Sequence, residues 1–180
     1  MSAPSIKLDA KLAEFGMALH VAVLAYPSDV RESDAGLEAT MQDAEELRRQ
    51  ELLGEAAASD PVIARARAAF KAFGRDPSRY RPSSEALTRR LVSGKDLPRV
   101  NTAVDVGNLV SVMTGVPVGL YDADRIEGEI SLRLGAESEA YESVRGRSIS
   151  VHNLAALADS LGPFGTPYSD SKRTAVGLHT

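Results

Sequence analysis

The apolar positions of this chain follow two different periods. From Met17 to Tyr26, "MALHVAVLAY" is β-branched and alternating, which predicts a strand that Pro27 ends. The next stretch, "GLEATMQDAEELRRQELLGEA", switches to helical spacing. Leu37, Met41, Ala44 and Leu52 share a rough stripe, and Glu45 with Arg49 forms a favourable i,i+4 pair. A second helix starts at Asp60, a capping residue followed by Pro61, with Ile63, Ala66, Phe70 and Phe73 on one face and Gly74 as its stop. After the two-proline turn "RDPSRYRP", Ser83 or Ser84 caps a short helix that buries Leu87 and Leu91 and ends at Gly94.

The helix expected from Asn101 to Gly115, "NTAVDVGNLVSVMTG", has two sides. Val106, Leu109, Val110 and Met113 recur with the spacing of a buried face. Asn101, Asp105 and Asn108 fall together on the other side, with Val104 and Val112 among them, so that side is expected to be partly covered as well. Buried amides and carboxylates left unpaired cost about 1–3 kcal/mol each. Either they bond the backbone of the neighbouring loop, or part of their capacity is kept for a ligand. Gly107 in mid-helix costs about 1 kcal/mol relative to alanine, which calls for a close approach by a ligand or by another part of the chain.

Beyond Gly115 the pattern turns to short alternating runs: "EISLRL", then "LAALAD", "GPFGTPYSDS" and "KRTAVGLHT" between Gly and Pro turns. Helices early and strands late predict an α+β fold rather than a parallel α/β sheet. The 180 residues suit one domain of two joined lobes, 1–74 and 75–180, the second bearing the motifs.

Composition narrows the chemistry. Without cysteine there is neither a disulfide nor a thiolate metal site. His20, His152 and His179 lack ligand spacing, and Arg125 interrupts the acidic group Asp122, Asp124, Glu127 and Glu129, so no metal and no cofactor are expected. No apolar run is long enough to span a membrane, and "MSAPSIKLDAK" lacks the pattern of a secretory signal; a cytoplasmic protein is expected. The net charge of −4 argues against bulk nucleic-acid binding, but residues 61–100 carry 10 bases against 3 acids. Arg75, Arg79, Arg81, Arg89 and Arg90 are the candidates for phosphate contacts, and pairing with the acidic first third is the alternative.

"LPRVNTAVDVGNLVSVMTGVPVGLYDADRIEG" resembles the amino-acid-recognising module formed by the third and fourth domains of the phenylalanyl-tRNA synthetase β subunit. "AFGRDPSRYRPSSEAL", "LPRVN" and "GPFGTPYSDSKRTAV" resemble freestanding relatives of that module. The resemblance implies layered mixed sheets backed by helices. It also implies recognition of tRNA or aminoacyl-tRNA, an amino-acid-like ligand, and hydrolysis of mischarged aminoacyl-tRNA. Asn108 matches a pocket asparagine, and Asp105 and Asn101 match the framework acid and amide of the same helix. Gly107 and Gly119 stand where the synthetase has a threonine and a histidine, and its tyrosine-sensing glutamate falls just past Thr180. Tyr121 is placed to close the pocket, and backbone N–H groups around Gly115–Gly119 are the candidate oxyanion donors. No nucleophile stands out, so a non-catalytic RNA-binding or small-ligand module with a vestigial pocket is the alternative.

Overall fold

A computed structural model describes residues 5–20 and 30–178. In chain order the elements are β1 (Ile6–Leu8), α1 (Ala10–Glu14), α2 (Ala35–Glu51), α3 (Pro61–Ala72), α4 (Ser83–Val92), α5 (Thr102–Thr114), β2 (Ile130–Leu134), β3 (Ala140–Glu142), β4 (Ser148–Ser150), β5 (Ala155–Asp159) and β6 (Gly162–Gly165), with 3-10 turns at Ala57–Ser59 and Ala123–Arg125. The fold is α+β. Of the strand expected from Met17 to Tyr26, Met17–His20 are irregular and the remainder lies outside the described residues.

The described residues divide into two compact units. Residues 30–120 with 176–178 form a helical unit, and residues 5–20 with 121–175 form a sheet unit. Helices α3 and α4, on either side of residue 74, therefore belong to the same unit.

The helical unit is assembled by local signals. Asp60 accepts from the N–H groups of Val62 and Ile63, and Pro61 sits in the first turn of α3, where a missing N–H costs nothing. Gly74, Gly94 and Gly115 follow their helices with positive φ, a conformation that side chains with a Cβ resist. Helix α4 departs from expectation at its start. Pro82 occupies the cap position without a side-chain bond, and Ser84 is fully buried rather than capping. Met41 of α2, Leu91 of α4, Leu97 and Val112 of α5 form the core, with Leu37, Leu87 and Leu109 packed around them.

Charged groups knit the same unit. Glu45, only 1% exposed, accepts from the Leu97 N–H at 2.9 Å and from the Arg99 guanidinium at 2.5 Å. The expected partner Arg49 stands 3.9 Å away and reaches Asp96 as well. Arg48 binds both Glu51 and the capping Asp60.

In the sheet unit the order is β1-β2-β5-β6: β1 runs parallel to β2, and the other neighbours are antiparallel. Ile6 pairs with Ile130, so two segments far apart in sequence share one ladder. Strands β3 and β4 form a separate hairpin, and Tyr141, Ile149, Val151 and Ala156 build a cluster against Tyr168. The tail segment "KRTAVGL", expected as a strand, is turns and irregular chain.

Candidate functional site

Helix α5 is turned the other way from the face its periodicity suggests. Val106, Val110 and Met113 are 45%, 45% and 38% exposed, while Asn101, Asp105, Gly107, Ser111 and Val112 are buried. With valine on nearly every side, spacing has little to choose between; the polar edge goes inward because it finds partners there. The Asn101 side chain caps the helix by accepting from the Val104 N–H at 2.9 Å. One Asp105 oxygen accepts from the Val100 N–H at 2.9 Å and the other from the Ser33 hydroxyl at 2.6 Å. Both residues thus spend their acceptor oxygens inside the helical unit.

Asn108 differs. It is half-buried, and its side chain forms no hydrogen bond among the described residues. One position earlier, a Cβ on Gly107 would lie 2.5 Å from Leu120 Cδ1. The close approach that this glycine permits is therefore made by Leu120, which ends the irregular segment 115–120 and packs against the turn of α5 that carries Asn108. In that segment the Gly115 N–H is used by Ser111 and the Val116 N–H by the Thr114 hydroxyl, while Pro117 has none. The N–H groups of Val118 and of the exposed Gly119 have no partner among the described residues. The set of candidate oxyanion donors thus contracts to these two.

Tyr121 belongs to the sheet unit. Its hydroxyl donates to Asp170 at 2.7 Å, and its ring meets Phe164 edge-on, with centroids 5.0 Å apart. Burial and the Asp170 carboxylate push its phenol well above the usual tyrosine range. A Cβ on Gly165 would stand 2.1 Å from the tyrosine oxygen, so this glycine makes room for the ring. The half-buried Tyr121 thus has both its hydroxyl and its ring engaged within that unit.

The candidate RNA contacts lie on the helical unit. Asp76 holds the turn after α3 through the Ser78 N–H and hydroxyl, and these bonds set its carboxyl below the ordinary range. Arg67 then ties the turn to α4, reaching the Pro77 carbonyl at 3.3 Å and the buried Glu85 carboxylate at 2.7 Å. On this support the Arg75 guanidinium sits 4.1 Å over the Tyr80 ring, and that of Arg79 is 5.8 Å from it. Arg81 is half-buried, and Arg89 and Arg90 are exposed on the last turn of α4, Arg90 reaching the Asp96 carbonyl. Sequence reasoning missed the Arg67–Glu85 pair, whereas Glu45–Arg99 is a pair of the kind the alternative reading expected, a base of residues 61–100 meeting an acid of the first third. Spacing gave no sign of the distant partners, because Glu45 and Glu85 each have an arginine at i+4, Arg49 and Arg89.

Among the described residues no three His, Asp or Glu side chains are arranged to hold a metal ion. No helix among them is long and apolar enough to cross a membrane.

Residues 65–180 match the family described as the B3/4 domain. This chain belongs to the B3/4 domain family. Curated relatives include the phenylalanine–tRNA ligase beta subunits of Mycoplasma pneumoniae, 37% identical over 52% of this chain and 12% of that subunit, and of Neisseria meningitidis serogroup A, 31% identical over 35% and 8%. That of Malacoplasma penetrans is 34% identical over 33% of this chain and 7% of the subunit. The chain therefore spans about a tenth of the length of these relatives. The matched B3/4 region contains α5, the Arg75–Tyr80–Arg79 stack and the whole described sheet unit apart from β1, α1 and the residues around them.

Proposed function

We propose that this B3/4 domain recognises the aminoacyl end of tRNA, with ester hydrolysis of mischarged aminoacyl-tRNA in trans as its activity. The observation that carries the reading is the pairing of Asn108, an amide with open hydrogen-bonding capacity, with the open N–H groups of Val118 and Gly119 on the segment Leu120 anchors beside it. An aminoacyl ester is already activated, so placing it and a water next to donors for the developing oxyanion lowers the barrier without a nucleophile. Asn108 orients the amino-acid moiety, and the two N–H groups face the oxyanion. Leu120 fills the space beside Gly107 and Gly119 carries no side chain, so the surroundings offer no polar group at either position, which supports a preference for an amino acid other than tyrosine. Arg75, Tyr80, Arg79 and Arg89 supply the phosphate and base contacts.

The test is a hydrolysis assay across a panel of mischarged tRNAs. Release of at least one amino acid above buffer, reduced about tenfold or more by Asn108→Ala, supports the activity. No release from any member of the panel removes it.

A second reading, a binding module without turnover, is favoured by the saturation of Asn101 and Asp105 inside the helical unit. It predicts salt-dependent tRNA binding that Asn108→Ala weakens, with no amino acid released.

A further inference from the structure

The sheet unit has five described arginines, and three of them are neutralised. Arg125 pairs with Asp122, Arg133 with Glu139 and Arg173 with Asp159. Arg145 and Arg147 are exposed and have no ion pair or side-chain hydrogen bond among the described residues. Both stand at the tip of the β3–β4 hairpin, one on each side of Gly146.

This tip is firmly built. The Gly146 N–H donates to the Ser143 carbonyl at 2.8 Å, with Gly146 at φ 72°, and the Arg147 N–H donates to the Ser143 hydroxyl at 3.2 Å. Ser143 N–H closes the hairpin on the Arg147 carbonyl at 2.8 Å. Along the other edge of β3, the Val144 N–H donates to the Asp170 carbonyl and the Lys172 N–H to the Glu142 carbonyl, so residues 170–172 form a third rung. That rung carries one more cation, Lys172. Its pair with Glu142 at 3.2 Å leaves both side chains more than half exposed, a weak hold that a phosphate can replace.

Ordered backbone beneath two unneutralised guanidiniums, with a third cation on the adjacent rung, suits repeated anionic groups along a polymer. Guanidinium N–H forks match phosphate oxygens bidentately.

We propose that the β3–β4 hairpin tip is a phosphodiester-backbone contact for RNA, with Arg145 and Arg147 as the primary residues and Lys172 as the secondary one. The inference rests on the RNA-binding reading above and adds a contact surface on the other unit.

The experiment measures tRNA affinity against KCl concentration for the wild type, an Arg145→Gln/Arg147→Gln variant, its Arg→Lys counterpart and an Arg75→Gln/Arg79→Gln variant. The hairpin variant is expected to bind about tenfold more weakly at low salt. Its log-log salt slope should fall by roughly 1.5, since each lost phosphate contact removes about 0.7–0.9. The lysine variant should recover most of the affinity, and all four proteins should share one melting temperature. Wild-type binding with unchanged affinity and slope in the hairpin variant overturns this proposal while leaving the RNA reading in place. Absence of wild-type RNA binding, with the Arg75/Arg79 variant indistinguishable from it, overturns both. Hairpin-dependent binding to phosphatidylserine vesicles but not to tRNA would assign the surface to a membrane instead and also overturns the proposal.

Discussion

Leu120 occupies the space that a side chain at Gly107 would need. A Cβ there would come within 2.5 Å of Leu120 Cδ1 and 3.3 Å of Cγ. Alanine at 107 gains helix propensity of up to about 1 kcal/mol but forces Leu120 off its packing, and overpacking of this kind costs roughly 1–3 kcal/mol. Gly107→Ala is therefore expected to destabilise the domain by about 1 kcal/mol in urea unfolding. Adding Leu120→Ala should give a combined loss smaller than the sum of the two single effects, because the clash disappears. Additive effects would show that the two residues do not compete for space.

Glu45 is the buried hub joining α2 to the segment before α5. Removing its carboxylate leaves the Leu97 N–H and the Arg99 guanidinium short of their acceptor. Glu45→Ala should cost on the order of 3 kcal/mol and Glu45→Gln distinctly less, because the amide oxygen still accepts. Equal losses for the two variants in chemical denaturation would contradict the hub role.

Acid should weaken the domain through Asp60 and Asp159. For both, burial raises the carboxyl pKa, but arginine bonding together with backbone N–H groups outweighs it and sets the net value below the ordinary 3.8. A depressed folded-state value means that the stabilisation is complete above the unfolded value and is lost as pH falls through the folded one. The expected result is a stability plateau above about pH 5 and a decline below pH 4. Asp60→Asn should lower the plateau and flatten part of the decline. A pH profile identical to that of the wild type would show that Asp60 does not carry this linkage.

Gly115 is held at φ 72°, and a Cβ would meet Asp60 Oδ1 and Val62 Cβ, both at 3.0 Å. Gly115→Ala should cost about 1–3 kcal/mol from left-handed strain and crowding together. Asparagine, which tolerates the backbone conformation, relieves only the first. Gly115→Asn should therefore remain clearly less stable than the wild type, and a wild-type melting temperature would show that backbone strain alone matters.

Tyr121 donates its hydroxyl to Asp170 within the sheet unit. Tyr121→Phe should destabilise by about 1–2 kcal/mol while leaving tRNA affinity unchanged, which thermal melting and a binding titration would separate. A loss of affinity without a loss of stability would reassign Tyr121 to the site.

Local chemistry was legible in the chain itself. Asp60 with Pro61, Asn101 at its cap, and Gly74, Gly94 and Gly115 at helix ends act on neighbours within a few residues, so their meaning survives without a fold. The alternation of "EISLRL" likewise marks β2. What the sequence could not determine was which side of α5 turns inward, because valines on both sides make the period ambiguous. That was decided by Ser33, 72 residues away, meeting Asp105, and by Met41 and Leu91 meeting Val112. The parallel pairing of Ile6 with Ile130 and the bond from Glu45 to Leu97 are of the same kind. A helix or strand specifies its own hydrogen bonds, but the partner of a buried charge or a sheet edge is chosen only when distant segments meet, since desolvation is offset only by the group that actually arrives.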